Sequence, residues 1–140
     1  MELLGVVAQI IAGALLGAMV FFAAVVTPTV FKALDEAGAR SFLRTLFPRF
    51  YIFGVCMAAL SSSLAMPQYP LSGALMLAVA LGFIWSRQSL MPKVNAARDA
   101  QLAGDAAAQG QFDRLHRLSV RIFGMQALVI IGVVTLIGQP

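Results

Sequence analysis

Four long runs of apolar residues, separated by shorter polar segments, dominate the pattern along the chain. They cover residues 3–26, 50–66, 71–90 and 118–138. A helix that crosses a membrane needs about 20 mainly apolar residues, and each run is close to that length. The runs are continuously apolar, unlike the alternating strands of a membrane β-barrel, and in lipid a helix satisfies its own backbone hydrogen bonds. The pattern therefore predicts an all-α membrane protein, a four-transmembrane-helix bundle that forms a single domain over residues 1–140.

Composition points away from a soluble protein. Hydrophobic residues make up 60% of the 140 residues and charged residues only 11%, and the mean hydropathy is +0.87. A soluble domain usually carries about 25% charged residues, because part of its surface must face water. The net charge of +4 raises the question of nucleic acid binding. However, the basic residues flank the apolar runs, where membrane topology explains them, so we expect membrane lipids and no nucleic acid as partners.

The Lys and Arg residues lie in only two places along the chain. Lys32, Arg40, Arg44 and Arg49 fall between the first two runs, and Arg87, Lys93, Arg98, Arg114, Arg117 and Arg121 fall between or beside the last two. Basic residues near membrane spans remain on the cytoplasmic side. The segregation therefore predicts two cytoplasmic segments and a multi-pass topology with both termini extracytoplasmic. The first run has no preceding Lys or Arg and is too long for a signal peptide, so we expect a retained span there.

The two basic segments mix apolar and charged residues, as short amphipathic cytoplasmic helices do. In the first segment, Gly38 is expected to break a helix, and Pro48 to kink or begin the second span. In the second segment, a helix is expected over residues 92–102, because proline suits a first helical turn. Gly104 and Asp105 then predict a turn followed by an N-cap.

Small residues recur at helical spacing in two of the predicted spans. Gly13 and Gly17 form a GxxxG pair, and Ala74, Ala78, Gly82 and Ser86 recur at every fourth position. Such stripes let two helix backbones approach closely. They fit packing inside one bundle, and they also fit a homo-oligomer formed through these helix faces. We predict that the second stripe faces another helix and not lipid.

Polar residues are few within the predicted spans. Ser61, Ser62 and Ser63 are expected to bond carbonyls of their own helix, and Gln126 is expected to bond across helices. No Asp, Glu or Lys lies at the middle of a span. Proton-coupled pumps and transporters usually need such a residue, so its absence counts against an ion-coupled transporter.

The chain contains one cysteine and one histidine. Cys56 has no disulfide partner and fits a small buried side chain. His116 precedes the fourth run, and a metal site made by protein alone needs several such ligands. A haem can use His116 as an axial ligand, but no second ligand is evident. No nucleophile–base pair or phosphate loop is visible, so we expect no catalytic residue, no metal site and no cofactor.

Six polar residues lie near the predicted cytoplasmic ends of spans two, three and four, where an up-down bundle brings helices together. They are Tyr51, Asn95, Arg98, Asp99, His116 and Ser119. Such groups need hydrogen-bond partners near the membrane core, so we expect them to form one polar cluster and a candidate ligand-binding site. One version of this hypothesis locks the bundle, and another binds an anionic ligand through Arg98 and His116. Arg98 and Asp99 can alternatively pair with Asp113 or Arg114 on the surface.

Several short motifs at the span ends carry a family resemblance. They are Pro28 with Phe31, Leu46-Phe47-Pro48 with Tyr51, Met91-Pro92 with Asn95, and Phe112 with His116 and Ser119. In these motifs the chain resembles the transmembrane protein 205-like family, also described as domain of unknown function 4149, in its bacterial form. The resemblance implies a four-span protein of the bacterial inner (plasma) membrane and supplies no established catalytic residues. Eukaryotic relatives have been linked to drug export.

Three functional hypotheses follow. The first is a non-enzymatic membrane protein that is transport-associated or lipid-interacting. The second is a haem, porphyrin or metal-handling membrane protein that uses His116, and a Soret band in the purified protein would favour it. The third is an enzyme that acts on a lipid. A polar cavity open to one side would favour transport.

Overall fold

The computed structural model of the chain describes residues 2–138, which form six α-helices and two π-helical segments and no β-strand. In chain order these are α1 (Glu2–Phe21), the first π segment (Phe22–Val26), α2 (Thr27–Ala33), α3 (Glu36–Ala65), α4 (Pro70–Trp85), the second π segment (Ser86–Leu90), α5 (Met91–Leu102) and α6 (Ala106–Ile137). The predicted all-α class is confirmed. The predicted location of the termini concerns Met1 and Pro140, which lie outside the described residues.

Within the described residues, four continuous helical stretches are long and apolar enough to cross a membrane. They are Glu2–Ala33, Glu36–Ala65, Pro70–Leu102 and Ala106–Ile137. The stretches form a ring in which α1 packs against α3 and α6, and α4 also packs against α3 and α6. Leu15, Met76 and Ile130 are fully buried inside the ring, whereas large apolar side chains such as Ile10 and Leu128 are exposed on its outer surface. The predicted four-helix bundle is confirmed, and its apolar outer surface suits lipid.

Two hairpins make up this ring. The first hairpin (residues 2–65) turns at Leu34 and Asp35, and the second hairpin (residues 70–137) turns at residues 103–105. Leu34 has extended backbone, and the Asp35 carboxylate accepts a hydrogen bond from the N–H of Gly38 at 2.9 Å. The helix break predicted at Gly38 is therefore wrong, because Asp35 caps α3 and places that glycine inside its first turn.

The turn of the second hairpin agrees with the sequence prediction. Gly104 has a φ of +97°, a backbone conformation that favours glycine. The carboxylate of Asp105 then accepts a hydrogen bond from the N–H of Ala107 at 2.9 Å and caps α6. Both hairpins thus begin their second helix with a capping aspartate.

Each hairpin also contains one π segment in its first helical stretch. The N–H of Thr27 bonds the carbonyl of Phe22, and the N–H of Met91 bonds the carbonyl of Ser86, in both cases five residues earlier. A proline follows directly in each case. Proline lacks an N–H and crowds the preceding turn, and the wider π turn gives that ring room. The first helical stretch therefore continues past Pro28 to Ala33 instead of ending at the proline.

Pro48 departs from its predicted role, whereas Pro92 lies where it was predicted. Pro48 lies inside α3, which runs unbroken from Glu36 to Ala65, so this proline does not begin the second span helix. Pro92 lies in the first turn of α5, which ends at Leu102 as predicted. That helix continues from α4 through the second π segment.

One polar side chain bonds across each of the four neighbouring helix pairs in the described part of the chain. Ser61 Oγ donates to the Ala8 carbonyl (2.9 Å), Ser62 Oγ to that of Gly73 (2.7 Å), Gln126 Nε2 to that of Val79 (3.1 Å), and Gln9 Nε2 to that of Val134 (2.8 Å). The prediction for Gln126 is confirmed. The prediction for Ser61 and Ser62 is wrong, because both face a neighbouring helix, whereas Ser63 bonds the carbonyl of Ala59 in its own helix.

Small residues are only partly used for packing within the chain. In the predicted α4 stripe, Ser86 is buried and Gly82 lies against Gln126, whereas Ala74 and Ala78 are exposed on the outer surface. Only half of that stripe therefore packs against another helix of this chain. A closer approach occurs at Gly54, where a Cβ atom would lie 2.9 Å from the Phe83 ring. Cys56 is exposed, so the expectation of a buried cysteine is wrong.

Candidate functional site

The Lys and Arg residues of both hairpins lie towards the same end of the bundle. They fall in α2, in the second π segment, in α5, and in the first halves of α3 and α6, all of which adjoin the two hairpin turns. We call this end the basic end and the opposite end the far end. At the basic end, α2 packs against α3, and α5 packs against α6. Beyond the π segments, α2 and α5 therefore each pack against the second helix of their own hairpin.

A cavity of about 350 Å³ lies between the hairpins towards the basic end. All four long helical stretches contribute to its wall. We call it the main cavity, and its lining residues are Phe22, Ala23, Thr27, Phe47, Tyr51, Leu90, Met91, Val94, Asn95, His116, Ser119, Val120 and Phe123. Most of these side chains are apolar, and the few polar ones come from four different helices.

The two π segments border the main cavity. Phe22 and Ala23 belong to the first segment, and Leu90 belongs to the second. Single-turn π segments in α-helices are often found at functional sites, since the extra residue redirects side chains. Here both segments lie where the hairpins separate, so the same backbone feature shapes two opposite parts of the wall.

Aromatic rings separate the main cavity from the tightly packed far end. The ring of Phe50 lies 4.5 Å from that of Phe22, 6.1 Å from that of Phe123 and 6.4 Å from that of Phe83, between centroids. Tyr51 joins this group at 6.0 Å from Phe83. The contacts are tilted or edge-on, which are favourable geometries for aromatic pairs. This aromatic layer links all four helical stretches at one level.

The polar groups of the main cavity differ in what they bond. Thr27 Oγ1 donates to the Phe22 carbonyl at 3.0 Å, and Ser119 Oγ donates to the His116 carbonyl at 2.7 Å. Among residues 2–138, the side chains of Asn95 and His116 make no hydrogen bond, and only the backbone carbonyls of these two residues accept from other side chains. The Asn95 amide and the His116 imidazole can therefore serve a bound molecule. The imidazole ring stacks on Phe112, with centroids 5.6 Å apart and an interplanar angle of 9°.

Four of the six predicted site residues line the main cavity, Arg98 lines a smaller cavity next to it, and Asp99 lines neither. The four are Tyr51, Asn95, His116 and Ser119. The Arg98 guanidinium lies 3.7 Å from the centroid of the Phe112 ring and donates to Gln101 Oε1 at 2.8 Å. Asp99 accepts a hydrogen bond from Arg44 at 2.5 Å. Within the described residues no hydrogen bond joins the six side chains directly, and neither Arg98 nor Asp99 pairs with Asp113 or Arg114.

A second cavity of about 160 Å³ adjoins the main one. Three arginines, Arg40, Arg44 and Arg98, line it, and we call it the arginine vestibule. Phe31, Leu43 and Phe112 complete its wall, together with Phe47, Met91, Val94, Asn95 and His116, which also line the main cavity. The shared residues make the two cavities neighbours across a common boundary.

Two of these arginines were not among the predicted site residues, although a signal for them exists. Arg40, Arg44, Phe47 and Tyr51 are spaced by four, three and four residues, so one continuous helix places them on a single face. The expected kink or helix start at Pro48 and the expected start of the span at Phe50 hid that spacing, because both fall between Phe47 and Tyr51. The partner of Arg44, by contrast, lies 55 residues away and leaves no local pattern.

Arg44 joins the two hairpins at the basic end. Its Nη2 atom donates to the Asp99 carboxylate and, at 3.2 Å, to the Asn95 carbonyl on α5. The Arg44 and Asp99 side chains retain 39% and 58% of their solvent exposure, so this is a surface ion pair. Such pairs contribute about 0–1 kcal/mol, and the connection is correspondingly weak.

Metal ligands do not cluster in the part of the chain that the structure describes. No group of three or more His, Cys, Asp or Glu side chains there could hold a metal ion. The single imidazole of His116 is next to aromatic and apolar groups.

Comparison with known proteins gives one match. A family model described as Domain of unknown function (DUF4149) matches residues 10–102. The chain belongs to the DUF4149 family. The resemblance found in the sequence motifs is thereby confirmed at the level of this family. No curated protein and no solved structure matches the chain.

The DUF4149 match covers most of the first three helical stretches, including both π segments and the arginines of the vestibule. Every residue that lines the main cavity from the first three helical stretches thus lies within the matched residues. The wall that contains His116 and Ser119 belongs to α6, which follows the matched region.

Proposed function

We propose that this DUF4149 protein binds an amphipathic, lipid-like molecule in the main cavity, as a lipid-interacting or transport-associated protein of the bacterial inner membrane. The observation that carries this proposal is the composition of the cavity wall. Apolar side chains dominate it, and the polar groups of Tyr51, Asn95 and His116 converge from three helices. Small-molecule sites have this character, an apolar surface with a few polar groups that fix orientation.

The position of the cavity supports a ligand from the lipid phase. Ala23 and Val120 line the cavity and are also exposed on the outer surface, one on each side of the separation between the hairpins. A molecule with an apolar tail can enter sideways along this separation without crossing water. The surrounding outer surface is apolar, with exposed residues such as Val20 and Phe21 nearby.

Native mass spectrometry of the protein released from membranes in a neutral detergent tests the proposal. We expect retained lipid-like molecules on the native protein and their loss in Ala23→Phe, because the new ring would occupy the cavity. Ala24→Phe is the matched control, since this neighbour is exposed in the same π segment and does not line the cavity. Equal retention in both variants would show that the main cavity is not the site.

The proposed orientation places the basic end in the cytoplasm and both termini outside it. The support is the positive-inside rule, because every Lys and Arg lies towards one end of the bundle. Alkaline phosphatase fused after Pro140 should be active, and a fluorescent protein inserted at Gly104 should fluoresce. An inactive phosphatase at the C-terminus, with activity at Gly104, would reverse the orientation.

A second candidate function is handling of haem, a porphyrin or a metal through His116. The observation that favours it is the imidazole on the cavity wall, which has no side-chain hydrogen bond among residues 2–138. A Soret band in the purified protein that disappears in His116→Ala would support this candidate. Retained lipid without a Soret band would support the first one.

A further inference from the structure

The two cavities at the basic end differ in the charged residues around them. No Lys or Arg lines the main cavity, whereas three arginines stand among the mainly apolar residues that line the arginine vestibule. Within the described residues, no Asp or Glu side chain lines either cavity. Because the cavities share five lining residues, they adjoin, and a molecule that reaches both would have one part among apolar side chains and the other beside arginines.

We propose that the two cavities together form a site for a single-chain anionic amphiphile. Its tail occupies the main cavity, and its carboxylate or phosphate headgroup lies among Arg40, Arg44 and Arg98. This inference rests on the proposed function and adds the charge and the orientation of the ligand. A volume of about 350 Å³ lies at the low end of small-molecule cavities, which fits one chain rather than two.

Each arginine of the vestibule retains donors for a headgroup. Arg40 pairs with Glu36 through Nη1 at 3.2 Å, Arg44 bonds its partners through Nη2, and Arg98 bonds Gln101 through Nη1. A guanidinium group has five N–H donors, so each side chain keeps a second terminal nitrogen. Arginine is suited to carboxylate and phosphate groups because its donors match their planar or tetrahedral oxygens in pairs.

The acidic partners of these arginines do not compete strongly with a ligand. The side chain of Glu36 is 80% exposed and that of Asp99 is 58% exposed. Water weakens such pairs. Arg98 has no acidic partner and lies against the Phe112 ring, which fixes the plane of the guanidinium by a cation–π contact. Of the three, Arg98 is therefore the arginine whose charge is not already paired with an acid among the described residues.

Binding measurements with three probes test the proposal. Isothermal titration on protein in lipid nanodiscs would compare dodecyl phosphate, dodecanol and inorganic phosphate. Dodecyl phosphate should bind at least about tenfold more tightly than either of the others, because only this probe uses both cavities and charge-assisted bonds carry that difference. Inorganic phosphate binding as tightly as dodecyl phosphate would overturn the proposal in favour of a free-anion site.

Variants assign the effect to the vestibule. Arg98→Gln should weaken dodecyl phosphate binding about tenfold and leave dodecanol unchanged. Arg117→Gln removes the same charge from an exposed position of α6 outside both cavities, and it should change neither. Arg40→Gln, at an exposed ion pair, gives an independent test if Arg98→Gln fails to fold, and it should also weaken dodecyl phosphate binding.

The result also separates this inference from the proposed function. Equal binding of dodecanol and dodecyl phosphate, both lost in Ala23→Phe and unaffected by the arginine variants, would overturn the anionic headgroup and leave the amphiphile site intact. If none of the three probes binds, and Ala23→Phe does not reduce the lipid retained in native mass spectrometry, both this inference and the proposed function are overturned.

Discussion

At the far end of the bundle a side chain bonds across each pair of neighbouring helices, whereas at the basic end an exposed arginine joins the two hairpins. Gln9, Ser61 and Ser62 donate to carbonyls of adjacent helices, and Gln9 lies about two turns after Glu2, where α1 begins. Lipid supplies no hydrophobic force between helices, so close packing and such bonds hold a membrane bundle together. Where the helices leave lipid, the Arg44 pair is solvated and weak. The difference indicates that the helices are held together firmly at the far end, whereas the two hairpins can separate at the basic end.

The largest expected effect comes from the aromatic layer between these two regions. Phe83 is fully buried and packs against Gly54, so Phe83→Ala leaves a cavity that the close helices cannot fill. We expect a loss of about 3 kcal/mol in the free energy of unfolding, at the lower end for such changes because lipid already solvates apolar groups. Reversible unfolding in mixed micelles would measure it.

Phe21→Ala is the control for this prediction. Its side chain is 58% exposed on the outer surface, so the same truncation should cost little. Equal losses of unfolding free energy in the two variants would contradict the description of the aromatic layer as a tightly packed boundary between the far end and the main cavity.

A smaller effect is expected from the cross-helix hydrogen bonds of the far end. Ser61→Ala removes the bond from α3 to the Ala8 carbonyl, and we expect a loss of about 0.6 kcal/mol, typical of such bonds in membranes. Ser63→Ala removes a bond within α3 only and should be nearly neutral. A larger loss in Ser63→Ala than in Ser61→Ala would contradict the assigned role of these bonds.

The smallest effect on stability is expected at the basic end. Arg44→Gln should change the free energy of unfolding by less than about 1 kcal/mol. It should nevertheless widen the separation between the hairpins, measured by electron–electron resonance between spin labels at Ala37 and Leu102, with Cys56 replaced. Arg49→Gln is the control, because this arginine bonds only the Thr45 carbonyl of its own helix. Unchanged label distances in Arg44→Gln would show that the hairpins are held by packing alone.

Much of the fold could be predicted from the sequence, because in membranes the apolar runs themselves define the spans. The turn at Gly104 and the cap at Asp105 followed from local chemistry in the same way. The π segments could not be predicted, since Phe22–Val26 has the composition of an ordinary apolar helix. The prediction for Ser61 and Ser62 was wrong because a serine bonds a neighbouring helix only if it lies on the face that is buried in the bundle. That face is set by the packing of the four helical stretches.

The candidate site could be predicted only in part. Tyr51, Asn95 and His116 were placed together because helix ends on one side of an up-down bundle converge. Asp99 was assigned to the same cluster, yet its partner is Arg44, and a surface pair between distant residues leaves no periodic signal. The cavity itself arises from the separation of two hairpins, which is a property of the assembled bundle and not of any one segment.

The π segments have one more consequence, which concerns helical phase. A turn with one additional residue advances the chain by about 100° relative to an unbroken α-helix. The side chains beyond each segment therefore point in directions that the periodicity of the preceding span does not predict. An unbroken α-helix would place Val30 on the same face as Ala12, five full turns earlier; the π segment turns it by about 100° from that face, and Val30 is nevertheless buried in α2. Each of these two stretches thus has two parts whose buried faces differ in direction. The part before the π segment faces the other helices of the bundle, and the part after it faces the second helix of its own hairpin.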